Sequence, residues 1–368
     1  MRILLGMPDP NSLGGPAACE PPFAGELRRR GLDVVEETYV YGEGKQPLST
    51  LDRVRRVSRT AKRLTAAVAA SAPDIIHLNT SFDRRALLRD VFVLRRLRGS
   101  KGKVFLKLHG SDLDLLENPP AKFRPLISYI LSRADGIGLL SGEERNAFAA
   151  TGVHPAKLFL VSNVVEPLVA TAEAPQVLRQ RLGIGSDVPV LLFIARFIPA
   201  KGLIDIIDAL AILRDRGRHV HLACVGDGQQ RCAAETRVRE MNLAGKVHFT
   251  GYIPESEAAQ FYAGSTMLVF PTYHFEGFPM VIFKSLAAGL PIITTKIRAA
   301  ADYLSEPENC LWTPPRDPAA LAERIVRLLD DHDIGQEMAT NNRRLSSNFT
   351  ADAVTSEYVE IYRSLLGS

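Results

Sequence analysis

The chain has 368 residues, of which 46% are apolar and 23% are charged, and its net charge is +4. This length favours two domains over a single core, and the composition excludes a disordered or low-complexity protein. The N-terminal apolar run is too short for a signal peptide, and no later run approaches the ~20 residues of a membrane span. We therefore expect a cytoplasmic protein, with attachment to a membrane surface left open.

The spacing of the cysteines and the distribution of charge narrow the class of protein further. The cysteines have no CxxC or Cys/His metal spacing, so we expect reduced packing residues. Residues 1–165 contain 25 Lys and Arg against 17 Asp and Glu, a net charge of +8, whereas residues 166–368 contain 20 against 24, a net charge of −4. A basic first half implies an anionic partner for that half. The cysteines are Cys19, Cys224, Cys232 and Cys310.

The chain opens with a strand, a glycine-containing loop, a helix and a second strand. This order is typical of a βαβ unit in a parallel sheet. Adjacent glycines, Gly14 and Gly15, lie in the loop and would let a ligand approach the backbone, although a plain tight turn explains them about equally well. The predicted elements are the strand Arg2–Gly6, the loop Pro8–Ala17, the helix Ala18–Arg30 and the strand Asp33–Glu37.

Two basic stretches follow. The helix predicted over Leu51–Ala70 interleaves basic and apolar residues, and such a helix can lie on an anionic bilayer, where each basic residue contributes about 1 kcal/mol. A solvated outer face of the domain is the alternative, and a second basic cluster favours the anionic surface. Nucleic acid is not expected, because aromatic residues are not interleaved and no nucleic-acid motif is present. The second cluster comprises Arg84, Arg85, Arg89, Arg95, Arg96, Arg98, Lys101 and Lys103.

Polar residues directly follow two predicted buried strands in the first half of the chain. The predicted strand Asp74–Leu78 leads to Asn79, and Lys103–Leu108 leads to His109. Ligands of open parallel sheets bind beyond the carboxyl ends of the strands. We therefore predict that His109, leaving its strand into a glycine turn, is a site residue. We expect His77, inside an apolar strand, to be a core histidine.

The second half repeats this pattern after a proline-containing stretch, residues 164–176, that we interpret as an interdomain linker. The strand Val190–Ile194 is followed by Arg196 and Lys201 and then by the helix Leu203–Arg214. Two cations beside a helix N-terminus are suited to binding a diphosphate. The alternative is a pair of solvated surface cations, which the strand-end position disfavours.

A carboxylate and a glycine are predicted at the mouth of a later helix. The strand Met267–Phe270 is followed by Glu276 and Gly277, and a helix is predicted over Pro279–Ala288. Unpaired N–H groups and the helix dipole at this end favour an anion. A ligand that carries both hydroxyls and phosphate would suit this stretch.

In this order the motifs resemble those of family 4 retaining glycosyltransferases, which have the GT-B fold. No single motif carries the resemblance, but the ordered set covers nearly the whole chain. The motifs of the second half are Arg196 with Lys201-Gly202, Gly226-Asp227-Gly228, Gly251-Tyr252, Glu276-Gly277-Phe278-Pro279 and Ala287-Ala288-Gly289-Leu290-Pro291, and those of the first half are Gly14-Gly15, His109-Gly110 and Asn163.

The resemblance implies an α/β protein with two Rossmann-like domains facing each other across a cleft. Residues 1–165 would bind the acceptor, residues 166–345 would bind a UDP- or GDP-linked sugar, and residues 346–368 would form a helix crossing back to the first domain. The acceptor would be a glycan or a lipid-linked molecule at the inner face of the cell membrane. The nucleotide sugar is a substrate, and neither a cofactor nor a metal is implied.

The same resemblance assigns roles to individual residues. Arg196 and Lys201 match the diphosphate-binding pair, Glu276 matches the glutamate that contacts the donor sugar, and His109 matches the histidine near the transferred sugar. The loop with Gly14 and Gly15 would close over the diphosphate. Gly226 belongs to the donor site, and Tyr252 would contact the base or pack at the domain seam. Backbone N–H groups would come from Gly277, Phe278, Pro279, Met280 and Val281.

The implied mechanism retains the anomeric configuration by front-face attack. Breaking the sugar–phosphate bond places negative charge on the leaving diphosphate, which Arg196, Lys201 and helix N-termini would stabilise without a metal. The departing phosphate would accept the acceptor's proton. Glu276 would then position the donor and would not act as a general base.

One residue departs from the pattern. Eight positions after Glu276 the family usually has a second glutamate, which binds the nucleotide ribose, and this chain has Lys284. A charged lysine has no acceptor for ribose hydroxyls. Lys284 could donate to those hydroxyls or contact phosphate, or it could mark a different donor or lost activity. The alternatives to a surface-glycan transferase are thus a catalytically silent GT-B protein and a soluble transferase with a small acceptor.

Overall fold

The computed structural model describes residues 1–9, 12, 14–39 and 49–367, apart from the side chains of Thr50 and Ser256. The chain divides into two compact units. The first contains Met1–Glu166, Phe275–Phe278 and the C-terminal stretch from Phe349, and the second contains Pro167–His274 and Pro279–Asn348.

A six-stranded parallel sheet forms the centre of the first unit, in the order β2-β1-β3-β4-β5-β6. Continuous apolar runs produce it, as expected for strands buried on both faces. Ile3 pairs with Val34 on one side and with Ile75 on the other. The strands are β1 (Arg2–Met7), β2 (Asp33–Thr38), β3 (Ile75–Phe82), β4 (Lys103–Ser111), β5 (Gly136–Leu139) and β6 (Leu158–Leu160).

Helices connect these strands and begin at side-chain caps where the sequence supplies them. Asp83 accepts hydrogen bonds from the backbone N–H groups of Arg85 and Ala86, at 2.8 and 3.0 Å, and Ser141 caps a later helix. Such caps satisfy N–H groups that have no partner within the helix. The helices are α1 (Gly15–Arg29), α2 (Thr50–Ser71), α3 (Arg84–Arg96), α4 (Leu113–Glu117), α5 (Arg124–Arg133) and α6 (Gly142–Ala150).

The second unit is built around another six-stranded parallel sheet, in the order β12-β11-β10-β7-β8-β9. Its central strand pairs Leu191 with Met267 on one side and with Leu222 on the other. The strands are β7 (Val190–Ile194), β8 (His221–Val225), β9 (Val247–Gly251), β10 (Met267–Phe270), β11 (Ile292–Thr294) and β12 (Leu311–Trp312).

The helices of the second unit carry apolar faces that pack on this sheet. In α8, for example, Leu203, Ile206 and Leu210 are buried. The helices are α7 (Ala174–Leu182), α8 (Leu203–Asp215), α9 (Arg231–Glu240), α10 (Glu255–Gly264), α11 (Met280–Ala288), α12 (Arg298–Tyr303), α13 (Pro318–Asp330) and α14 (His332–Ser346).

The last helix, α15 (Ala351–Leu366), packs against α1 in the first unit. Its tyrosines enclose His77, since the hydroxyl of Tyr362 lies 2.5 Å from His77 Nδ1 and the ring of Tyr358 stacks on the imidazole. His77 is fully buried, so the prediction of a core histidine is confirmed. Burial lowers the pKa of His77 to about 3, with Lys107 adding to the effect and Glu20 opposing it.

Several sequence-based bounds need correction. The third and fourth strands continue to Phe82 and Ser111, so Asn79 and His109 lie within strands. Helix α7 begins at Ala174, so the predicted linker ends earlier than residue 176. The predicted loop before α1 falls partly on Pro10, Asn11 and Leu13, which lie outside the described residues.

Candidate functional site

The predicted diphosphate pair lies at the carboxyl end of β7. Arg196 is exposed, and Lys201 ends a single 3₁₀ turn, Pro199–Lys201, with only 5% of its surface exposed. Its ammonium lies 5.3 Å from the centroid of the Phe270 ring. Burial lowers the pKa of Lys201 to about 7, and the positive charge of Arg196 adds to the effect. An anionic ligand would favour the charged form of Lys201 and oppose both effects, and binding of a diphosphate by this pair stays a prediction.

Two further basic side chains belong to this group, and the sequence analysis missed them. Burial lowers the pKa of His274 to about 4, and the charges of Lys201, Arg196 and Arg298 lower it further. Arg298 is 3% exposed, and its φ of 46° is in the left-handed region. His274 follows β10 and Arg298 follows β11, so the strand-end rule would have identified both. We call Arg196, Lys201, His274 and Arg298 the cation group.

Glycines bring the strand ends of this unit together. A Cβ on Gly226, whose φ is 127°, would lie 1.9 Å from the carbonyl oxygen of Ala195. The N–H of Gly226 donates to the carbonyl of Gly251 at 2.9 Å. Packing alone therefore requires a glycine at position 226, and its contact with a ligand stays a prediction. Tyr252, which follows Gly251, is 64% exposed and its contact with a base also stays a prediction.

Helix α11 presents its N-terminus at the carboxyl end of β10. Met280 and Val281 are its first two residues, and Pro279 is its N-cap. Proline has no N–H, so the prediction that Pro279 donates a hydrogen bond is wrong. Farther along α11, Lys284 is buried and forms an ion pair with Glu255 of α10. The helix therefore offers N–H groups at its start and, at Lys284, a cation already paired with a carboxylate.

In the first unit, His109 lies within β4 and did not leave its strand as predicted, because the ladder to β3 continues to Ser111. Its Nε2 lies 2.9 Å from Asn79 Oδ1 and 3.3 Å from Glu20 Oε1. Burial lowers the pKa of His109 and Lys107 lowers it further, although the hydrogen bond with Glu20 opposes both. The imidazole is therefore neutral at pH 7, with Nε2–H donating inward and Nδ1 as an acceptor.

A buried ion pair lies beneath His109. Lys107 Nζ is 2.7 Å from Glu20 Oε1, and Asn79 Nδ2 donates to Glu20 Oε2 at 2.9 Å. Burial alone would raise the pKa of Glu20, but the charge of Lys107 and the hydrogen bond from His109 hold it well below its usual range. The sequence analysis missed this network, although a lysine within the apolar strand KVFLKL was a signal. Cys19 lies 3.4 Å from the same Glu20 oxygen, which Lys107 already neutralises.

The segment Phe275–Phe278 belongs to the first unit. A Cβ on Gly277 would lie 3.1 Å from the carbonyl oxygen of His109, so glycine permits this close approach. The Phe278 ring lies 5.7 Å from that of Phe349, and Glu276 is half-buried. The structure thus places the segment that contains Glu276 beside His109. These two residues were predicted as site residues from separate motifs.

The glycine pair lies at the start of α1. Gly14 is the N-cap, with a φ of 116° and no side-chain cap, and Gly15 is the first helical residue. A Cβ on Gly14 would meet no atom within 4 Å, so the backbone conformation and not crowding favours glycine there. This helix N-terminus has the geometry that suits an anion.

The basic stretches are partly neutralised within the fold. Arg89 is buried, with its Nε 2.7 Å from Asp90 Oδ1, so its assignment to an anionic surface is wrong. Arg56 pairs with Asp9 at 3.2 Å. Large apolar side chains are nevertheless exposed on α2 and α3, and among the described helices none is long and apolar enough to cross a membrane. The exposed side chains are Leu51 (70%), Val54 (62%), Leu88 (58%) and Phe92 (36%).

Residues 176–345 match the family model described as Glycosyl transferases group 1. The chain is 30% identical over 215 residues to 2-deoxystreptamine glucosyltransferase of Streptomyces kanamyceticus, covering 56% of this chain and 55% of that protein. It is 26% identical over 202 residues to the lipopolysaccharide core biosynthesis glycosyltransferase LpsE of Rhizobium meliloti, covering 55% and 57%. In both comparisons the match spans little more than half of the relative's length.

The fold is similar to that of Anabaena HepE, solved in complex with UDP. The two structures superpose with a TM-score of 0.79 and 18% sequence identity, covering 99% of this chain and 100% of the other. The two parallel sheets and their helices are therefore those of the GT-B fold, which confirms the expected fold class.

Proposed function

Because residues 176–345 match the family model described as Glycosyl transferases group 1, we propose that the protein is a retaining glycosyltransferase that uses a nucleotide-diphosphate sugar. The observation that supports this best is the cation group at the strand ends of the second unit. Burial lowers the pKa of Lys201 and of His274, and the neighbouring positive charges lower both further. An anion that binds among them would interact favourably with the positive charges of the group. The motif order supports family 4 of that group as the specific assignment.

The leaving diphosphate would be stabilised by this chain's own positive charge. Arg196 and Lys201 would contact the phosphates, and Arg298 adds a third cation from the end of β11. The N-terminus of α11 supplies N–H groups at Met280 and Val281. These groups act where negative charge develops during cleavage of the sugar–phosphate bond, so the proposed reaction requires no metal.

Two further residues, Glu276 and His109, are proposed to act on the donor sugar. Glu276 would accept hydrogen bonds from sugar hydroxyls and position the donor. His109 is neutral with Nε2–H donated inward, so its Nδ1 can accept a hydrogen bond from a hydroxyl of the transferred sugar. Neither group needs to act as the base, because the departing phosphate would accept the proton of the attacking hydroxyl at the front face.

We propose that the donor sugar is linked to UDP or GDP. The solved structure of HepE contains UDP, which supports the uridine nucleotide as the first to test. Tyr252 is accessible for contact with a base in either case.

We further propose a glycan or lipid-linked acceptor at the inner face of the cell membrane. The relative named for lipopolysaccharide core biosynthesis supports this class of acceptor. Exposed Leu51, Val54, Leu88 and Phe92 alongside basic residues of α2 and α3 give the first unit a surface suited to anionic lipid. The relative named for 2-deoxystreptamine supports a second candidate, a transferase with a small soluble acceptor.

Release of nucleoside diphosphate from a panel of UDP- and GDP-sugars, with and without acceptors, tests the function. We expect turnover that depends on the acceptor and falls by about a hundredfold or more in Glu276→Gln, because the transition state loses a charge-assisted hydrogen bond. Glu173→Gln, outside the proposed site, is the control. A silent protein would show no turnover with any donor.

Vesicle sedimentation separates the two acceptor classes. A membrane-bound transferase would sediment with anionic vesicles in low salt and not with neutral ones. Equal and poor binding to both kinds of vesicle would remove the membrane proposal and favour the small acceptor.

A further inference from the structure

An ion pair joins two helices of the second unit, and its two members differ in exposure. Glu255 is the first residue of α10, and Lys284 is the fifth residue of α11. The Lys284 ammonium contacts Glu255 Oε1, yet the lysine side chain is 10% exposed and that of the glutamate is 63% exposed. The pair therefore consists of a buried cation and a carboxylate that still faces solvent.

This carboxylate lies at the same edge of the sheet as the cation group. The end of β9 contacts the end of β8, because Gly226 N–H donates to the Gly251 carbonyl at 2.9 Å. The end of β8 contacts the end of β7 through the close approach of Gly226 to Ala195, the residue before Arg196. Glu255 begins the helix that follows β9. The carboxylate and the proposed diphosphate site thus follow two strands, β9 and β7, whose ends both contact the end of β8.

In a nucleotide the ribose lies next to the phosphates, and its hydroxyls can donate hydrogen bonds to a carboxylate. A ribose offers two hydroxyl donors, and an ionised carboxylate is an acceptor-only group that can receive both. In dinucleotide-binding α/β folds, an acidic residue at a strand end binds the ribose in this way. Lys284 holds one oxygen of Glu255, so the rotamer is fixed before the ligand arrives and less entropy is lost on binding.

We propose that Glu255 binds the ribose hydroxyls of the donor nucleotide and that Lys284 is its positioning residue. This inference rests on the proposed function, because a ribose reaches this edge only as part of a nucleotide. The lysine at position 284 is then compatible with an active enzyme. In this proposal the ribose-binding carboxylate lies in the first turn of α10, and not at position 284 of α11, where the family usually has a glutamate.

Titration calorimetry of the full chain with UDP, GDP and their 2′-deoxy analogues tests the assignment. The wild-type protein should bind the better ribonucleotide about tenfold more tightly than its deoxy analogue, the effect expected for one hydrogen bond to a charged acceptor. In Glu255→Ala we expect a loss of at least about tenfold for the ribonucleotide, because its contacts with both hydroxyls are removed, and a ratio of the two affinities close to one. Lys284→Met should reduce the ratio less, because the carboxylate remains but is no longer held.

Glu257→Ala is the matched control, since Glu257 lies on the same helix and pairs instead with Arg181 at 2.9 Å. It should bind like the wild type. Unchanged affinity and an unchanged ribose-to-deoxyribose ratio in Glu255→Ala would overturn the inference and leave an ordinary surface ion pair. Failure of the wild type to bind any of the four nucleotides would instead overturn the proposed function, and the inference with it.

Discussion

Both units contain buried charges, but the two arrangements are opposite. In the first unit, Glu20 and Lys107 form a pair at 2.7 Å, and Asn79 and His109 complete its hydrogen bonds. In the second unit, Arg196, Lys201, His274 and Arg298 are basic, and burial together with the neighbouring positive charges lowers the pKa values of Lys201 and His274. The first network is complemented within the fold, whereas the second would gain from an added anion. We therefore expect the first to orient His109 and the second to bind an anionic ligand.

The largest expected effect comes from breaking the complemented network. Glu20→Gln leaves the Lys107 ammonium buried without its carboxylate, and removal of one partner of a buried pair costs about 3–5 kcal/mol of unfolding free energy. We expect the melting temperature to fall by about 6–15 °C, measured by calorimetry.

The double variant Glu20→Gln with Lys107→Met is the control for this prediction. It removes the stranded charge, so we expect it to melt at a higher temperature than Glu20→Gln alone. If the two variants melt together, the lysine does not depend on the carboxylate.

A change in the cation group should affect binding and not stability. Lys201→Met removes a buried ammonium that the unliganded protein holds at a cost, so we expect an unchanged or raised melting temperature. Affinity for UDP should fall by about a hundredfold, because a charge-assisted contact with the diphosphate is lost. Lys246→Met, at the opposite end of β9, should leave affinity unchanged. A lower melting temperature with full affinity for UDP would show that Lys201 stabilises the fold and does not bind the diphosphate.

The pH dependence of binding is the smallest effect and the most specific. The pKa of Lys201 is about 7 in the free protein, and a bound diphosphate favours the ammonium, so binding takes up a proton above pH 7. Affinity for UDP should therefore fall by up to about tenfold per pH unit above neutrality. His274, whose pKa is about 4, is already neutral over this range.

Lys201→Arg is the matched variant for the pH profile, since a guanidinium stays protonated throughout. Its affinity for UDP should be nearly independent of pH over the same range. A wild-type profile as flat as that of Lys201→Arg would show that Lys201 does not titrate in the site.

Sequence reasoning located the strands and the residues at their ends better than it located pairings. Arg196 and Lys201 follow an apolar run so closely that their position at the end of a strand could be predicted from spacing alone. The pair of Glu20 and Lys107 joins residues 87 apart, and no local pattern specifies such a contact. Arg89 was misread for a related reason: Asp90 is its neighbour in sequence, but the buried pair packs against distant residues, among them Tyr39, whose ring centroid lies 4.5 Å from the Arg89 guanidinium carbon.

The Lys284 position shows the same limit. The sequence displays a lysine where a carboxylate is expected, and only the packing of α10 against α11 shows that Glu255 accompanies it. The extra length of β4, which keeps His109 in the sheet, likewise depends on the ladder with β3.

Calorimetric titration with UDP and GDP, each compared with its nucleoside, measures whether the cation group of the second unit binds a nucleoside diphosphate. We expect one diphosphate to bind at least about a hundredfold more tightly than its nucleoside. We also expect this difference to disappear in the double variant Arg196→Ala with Lys201→Met. Equal binding of diphosphate and nucleoside by the wild-type protein would show that the cation group is not a diphosphate site.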